Sequence, residues 1–399
     1  METTNDSFDL IGTTAPDIGN DIGLIHNTMS LILYSPSFIC GVLRNGVVIW
    51  VTWFKMKKTV NTVWFLNLAV ADFVFLRHSL NTMSIVVYSL AFVLGVLGNG
   101  VVIWVTGFKI KKTVNTVWFL NLAVADFLFT AFLPLSVTYT ASDFHWPFGN
   151  FMCKLNTTIS FLNMFASVYI LVVISVDRCA SVVWPVWAQN HRNVRKASYV
   201  SLCVWVVALI LSAPYFIFRD VGPSYHNKDI INCFNNYALS GDEDTYHETH
   251  QAMIITRFLL GFVVPFTVIV SCYAVIIHRL RRNHTLANQS SRPFKIIAAI
   301  IINFFLCWAP FHIMGLIEMA NHMPEYSSEI LDDITIIGLP IATSLAFLNS
   351  CLNPLLYVFM GQDFKDKVHK SILIVLESAF QEEETHKVSR PVRTKRVQI

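Results

Sequence analysis

One apolar run, residues 153–178, sets the terms for the rest of this chain. As a helix rising about 1.5 Å per residue it covers roughly 38 Å, enough to cross a hydrocarbon core of about 30 Å. Yet Asn163, Ser167 and Arg178 fall near one stripe of it at helical spacing. Lipid cannot satisfy such a stripe, so it must face protein or water. The run therefore predicts the central helix of an all-α membrane bundle. Composition agrees, since 14% of the residues are charged and 54% hydrophobic, whereas soluble domains carry about 25% charged residues. The 8 cysteines lie mostly singly inside apolar runs, which argues against a zinc cluster or a disulfide scaffold. There is no paired acid and base, no partnered nucleophile and no glycine-rich phosphate loop, so nothing supports an enzyme.

The chain also repeats itself. Residues 27–75 align without a gap on residues 81–129, identical at roughly 38 of about 49 positions. Each copy reads as a span, a basic turn and a second span. The first copy is the poorer one. Arg44 stands where the second copy has Gly98, and a mid-span arginine costs about 2.5–3.5 kcal/mol on insertion scales. Pro36 replaces Leu90, and the second span of that copy ends early at Arg77-His78. The second copy is thus the working pair, and residues 27–80 are a partial duplicate or an assembly error in the gene. A repeat also fits a membrane transporter, but transporter repeats are several spans long and weakly similar. A chain whose duplicate spoils folding or signalling is the other alternative.

From the second copy onward, apolar spans are predicted near residues 84–106, 115–138, 154–182, 197–218, 251–278, 295–320 and 334–360. Basic residues crowd alternate connections, including Lys109, Lys111, Lys112, Arg192, Arg195, Arg279 and Arg281. Acidic ones, among them Asp143, Asp242, Glu325 and Asp332, crowd the opposite connections. By the positive-inside rule the N-terminus is extracellular and the C-terminus cytoplasmic in a multi-pass plasma-membrane protein. Residues 1–26 form an outer tail without signal-peptide features, and Asn5 heads a glycosylation sequon there. Residues 81–361 form the bundle, 362–376 an amphipathic helix on the inner membrane face, and 377–399 a cytoplasmic tail. Ser371, Ser378, Thr385, Ser389 and Thr394 are sparse candidate kinase sites in the last two segments.

Several residues carry mechanism. Asp126 is a mid-span carboxylate that reads either as a protonated core group or as the centre of an oxygen-rich cluster with Asn163, Ser167, Asn349 and Asn353. Such a set suits a small hard cation, a sodium ion. Asp177-Arg178 at the end of the central helix is a snorkelling interfacial pair or an ionic latch. Pro310 and Pro354 interrupt the last two spans, so the bundle is suited to two states. Arg257 lies about two turns from Pro265 inside a span, where an unpaired arginine is costly. It reads as a fork for the carboxylate of a peptide or of a free-fatty-acid mediator, or as a structural pair with Glu318 or a neighbour. Arg219 and Glu318 are weaker ligand candidates at the rim.

At this point the chain resembles the rhodopsin-like seven-helix G-protein-coupled receptors. The features are Gly98-Asn99, Asn121 through Asp126, Asp177-Arg178-Cys179, Trp205, Pro265 with Tyr273, Cys307-Trp308-Ala309-Pro310 and Asn353-Pro354-Leu355-Leu356-Tyr357. Cys179 departs from the tyrosine usual after the Asp-Arg pair. The motifs around His145-Trp146-Pro147, Cys233-Phe234-Asn235 and Thr256-Arg257-Phe258 place it in the chemoattractant branch, which holds the chemerin and formyl-peptide receptors. The resemblance implies a peptide or protein chemoattractant as ligand, inhibitory G proteins as partners, and arrestin as a further one. It implies that Asp177 holds Arg178 at rest, and that Arg178, Tyr273 and Tyr357 serve G-protein coupling. Phe304, Trp308, Pro310, Pro265, Asn353 and Pro354 would relay activation, and Cys153 would bridge Cys233.

Overall fold

In a computed structural model, which describes residues 60–224, 227–237, 243–282, 284–323 and 328–360, seven helices are long and apolar enough to cross a membrane. They are Leu80–Lys109, Val114–Ala141, Gly149–Val183, Val194–Ile217, Thr245–Arg282, Ile297–Asn321 and Ile330–Leu356, here called the first to seventh spans. Asn5, the outer tail, the segment 362–376 and the candidate kinase sites lie outside the described residues, as does the side chain of Tyr357. The chain divides into two compact units, Met1–Met83 and Ser84–Ile399.

The third span is the central one, as its polar stripe predicts. Of its apolar window 56% is buried, against 22% to 50% for the others. Its buried residues run from Cys153 through Phe165, Ser167 and Leu171 to Ser175, and it anchors the main core with Trp118, Leu122, Ile269, Phe304 and Trp308. Local chemistry sets several boundaries. Thr113 and Thr116 form a reciprocal capping box at the start of the second span, satisfying two otherwise orphaned donors. Asn193 accepts from the Lys196 N–H at the start of the fourth.

The helix that contains the first span runs Val60–Trp104. No glycine or proline lies between Val60 and Leu94, so nothing local stops the helix. One short β-pair accompanies the all-α bundle. Strands β1 (Arg219–Pro223) and β2 (Ile231–Asn235) form an antiparallel pair beyond the fourth span, with Val221 opposite Cys233. The Cys153–Cys233 disulfide ties this hairpin to the start of the third span. Trp146 packs on it, donating its backbone N–H to Ile231 O at 2.7 Å and its indole N–H to Gly149 O at 2.9 Å.

Prolines shape the fifth and seventh spans by removing a backbone donor. Ahead of Pro265 the fifth span widens into a π turn, Leu259–Val263, a distortion often found at functional sites. Pro354 frees the carbonyl of Ser350, four residues back, and Asn99 fills the vacancy by donating its side-chain amide to Ser350 O at 2.9 Å. Gly98 lies flush against Pro354, since a Cβ there would sit 2.9 Å from the proline Cβ.

Candidate ligand pocket, ion cluster and coupling end

At the disulfide end, Arg257 projects from the fifth span between two rings. Its guanidinium carbon lies 4.9 Å from the Phe311 ring centroid and 5.7 Å from that of Phe161, within cation–π range. Its Nε has no hydrogen-bond partner, and no carboxylate pairs with it among the described residues. The structural alternative, a pair with Glu318, is therefore not what forms. Glu318 lies half-buried one turn beyond Gly315 on the sixth span.

Arg219, on β1, is a brace. It donates to Cys233 Sγ at 3.3 Å, Cys233 O at 3.0 Å and Asn235 Oδ1 at 2.6 Å. These partners are all neutral, so its charge stays uncompensated, and burial pulls its pKa below the usual arginine range. Tyr237 sits in the field of both arginines, yet burial outweighs them and pushes its hydroxyl up to about 12. This end of the bundle thus holds two cations, phenol groups and aromatic walls. Tyr215 stacks on Phe161 at 3.6 Å.

Below Arg257 the rings continue downward. Phe311 meets Trp308 edge-on at 5.7 Å, and Trp308 lies 6.0 Å from Phe304. Trp308 and Phe304 are almost wholly buried, an unbroken aromatic column on the sixth span beside Pro310.

Midway down sits the polar cluster predicted around Asp126. Asp126 is fully buried and accepts from Asn353 Nδ2 at 2.8 Å. Ser167 donates to Asn163 Oδ1 at 3.2 Å, and Asn163 donates to Ser350 Oγ at 2.8 Å. Asn349 accepts from Asn303 Nδ2 at 3.1 Å. Asp126 Oδ1, Asn353 Oδ1 and Asn99 Oδ1 are buried without partners. Buried oxygens normally find a donor or an ion, and an all-oxygen set with one carboxylate fits a hard monovalent cation. Ser350, Asn303 and Asn99 are members that the cluster read from sequence missed. The spacing of Asn349, Ser350 and Asn353 along one helix was the available signal.

At the opposite end of the third span the expected hold of Asp177 on Arg178 is not formed. Asp177 accepts from Arg192 Nε at 2.8 Å and Nη2 at 3.0 Å, the one ion pair among the described residues. Arg178 instead donates to Asn115 Oδ1, which also accepts from Arg192 Nη2 at 2.6 Å. The reason is Arg192, which takes both Asp177 oxygens from the connection after the third span, while Arg178, about 100° round the helix, turns to the second span. Tyr273 on the fifth span stands near Arg178, its hydroxyl without a partner among the described residues.

Seven spans, the helix-to-hairpin disulfide, Asn99 on a proline-freed carbonyl, the Asp126 cluster and a half-buried Arg178 together define a seven-transmembrane receptor rather than an enzyme. The 7 transmembrane receptor (rhodopsin family) pattern matches residues 98–357, and the chain belongs to that family. Among its relatives, chemerin-like receptor 1 of Homo sapiens is 48% identical over 313 residues, spanning 76% of this chain and 81% of the relative. The C3a anaphylatoxin chemotactic receptor of Danio rerio is 44% identical over 323 residues, 81% of this chain and 84% of the relative. Chemerin-like receptor 2 of Homo sapiens is 40% identical over 295 residues, 74% and 80%. These relatives lie in the chemoattractant branch, and the chain is a multi-pass membrane receptor of that branch with an extracellular ligand and a G-protein partner.

Proposed function

We propose that the chain is a plasma-membrane receptor for a peptide or protein chemoattractant with a free acidic end, acting through inhibitory G proteins. The disulfide end is then extracellular and the Arg178 end cytoplasmic. The observation that carries this reading is Arg257, a cation seated among Phe161, Phe311 and Tyr215 with no acid paired to it among the described residues. An unpaired arginine inside a membrane bundle is expensive, and a ligand carboxylate on the guanidinium fork offsets that cost. Arg219 adds a second uncompensated charge behind Tyr237. The chemerin and C3a names of its relatives agree with a proteinaceous ligand.

In this mechanism the ligand's acidic end draws on Arg257, and the contact reaches Phe311 and then Trp308 and Phe304 down the sixth span. The proline-weakened sixth and seventh spans shift, and Arg178 exchanges Asn115 for the G protein. A sodium ion at Asp126, held with Asn353, Asn163, Ser167 and the neighbouring Asn349, would favour the resting packing by supplying charge to the orphaned oxygens. Asp126→Asn should then remove any effect of sodium on agonist affinity. Sodium sensitivity that persists in that variant rejects the ion site.

The deciding experiment is cAMP suppression in cells bearing the full chain, with a chemerin C-terminal peptide as free acid and as amide. Arg257→Ala should abolish the advantage of the acid while surface level is kept. Unchanged potency removes Arg257 from the ligand site.

A further inference from the structure

Two polar side chains cross between the fifth and sixth spans, each laid against a glycine of the other helix. Arg257 lies on Gly315, where a Cβ would collide with Nη2 and stand 3.6 Å from the guanidinium carbon. His312 lies on Gly261, where a Cβ would stand 3.4 Å from the ring Cε1. Arg257 and Gly261 are one turn apart on the fifth span, and His312 and Gly315 one turn apart on the sixth, so the four positions form one cross-helix square. Gly261 belongs to the π turn ahead of Pro265, which sets this face of the fifth span.

His312 is 1% exposed, and neither Nδ1 nor Nε2 has a hydrogen-bond partner among the described residues. Phe262, Phe258, Phe311 and Trp308 surround it at 5.2 to 6.4 Å between centroids. Burying a donor and an acceptor unmatched costs stability that an apolar ring in the same place would not. The Arg257 Nε on the neighbouring corner is unmatched as well.

We propose that this square is the seat of the ligand's acidic group, held jointly by the Arg257 guanidinium and an N–H of the His312 imidazole. The inference rests on the acidic-ligand reading and adds a second donor, on the sixth span. One carboxylate then touches both helices whose separation changes on activation, and the two glycines are what let the polar side chains approach. The site then takes a carboxylate on the Arg257 charge and a hydrogen bond from the imidazole.

The test uses the full chain in membranes, with the chemerin C-terminal peptide as free acid and as amide in competition binding. His312→Phe, which keeps a ring and removes the nitrogens, should weaken the acid about tenfold, the order expected for a hydrogen bond to a charged group, and leave the amide unchanged. His312→Gln, which restores an N–H, should recover part of the loss. Equal weakening of acid and amide, or none, while Arg257→Ala still erases the preference, overturns the square and leaves the Arg257 reading standing. A preference that survives Arg257→Ala, or a wild-type chain that binds neither form, overturns both. Melting of the purified, ligand-free receptor gives an independent check. His312→Phe should melt higher because no polar atoms are left orphaned, and a lower melting temperature would mark His312 as structural support and reject the proposal.

Discussion

The two ends of the bundle treat their arginines in opposite ways. At the coupling end, Arg192 has Asp177 in a two-bonded ion pair, and Arg178 has the Asn115 amide oxygen. At the disulfide end, Arg257 has only ring faces and Arg219 only neutral oxygens and a sulfur. A charge compensated within the chain holds the chain's own conformation. A charge left uncompensated in a low-dielectric site is a standing demand for an external anion. The proposed function draws on this contrast, with binding at one end and restraint at the other.

The sharpest way to break this comparison is to remove Arg178. If its bond to Asn115 is a resting contact given up for the G protein, Arg178→Ala should reduce ligand-stimulated activation to background while binding of labelled peptide stays normal. Normal signalling by that variant would refute its coupling role. The next effect is at the other end. Arg257→Ala should cost the free-acid peptide about 30-fold or more in affinity, the loss expected when one partner of a desolvated charge pair is truncated. Its surface level should hold, because Arg257 has no acid partner among the described residues to leave stranded.

Much of this was legible in the sequence because the membrane simplifies the problem. Spans long enough to cross it, prolines within them and one polar stripe identify the central helix and the Asp126 cluster before any coordinates. Asn99 and Gly98 show why the second copy of the repeat builds the bundle. The glycine lies flush on Pro354 and the asparagine caps the carbonyl that this proline frees, whereas the first copy has Arg44 at the glycine position. Other features were not legible, each for a definite reason. The partner of Asp177 depends on which way neighbouring side chains turn, and the family resemblance pointed to Arg178 where the structure has Arg192. The β1–β2 pair is too short and too mixed in character to stand out between long apolar spans. Gly261, Gly315 and His312 acquire meaning only when two helices are set side by side, since nothing in either span alone tells a packing glycine from a tolerated one.

The smallest effect should come from Arg192. Its pair with Asp177 is partly open to solvent, with side-chain exposures of 28% and 13%, so screening reduces its worth to about 1 kcal/mol or less. Arg192→Ala should therefore hardly change the melting temperature. Its consequence should instead be conformational. Asp177 loses both bonds, and Asn115 keeps only Arg178. With Arg192 gone, Asp177 is the nearest anion available to Arg178, and the added attraction should deepen the resting state and lower ligand-independent signalling modestly. Asp177→Asn removes that attraction and should raise it. Opposite changes in basal cAMP suppression from the two variants, at matched surface level, would place Arg192 as the competitor that keeps Asp177 off Arg178. Changes in the same direction would reduce the ion pair to a structural fastening and leave Asn115 as the sole restraint on Arg178.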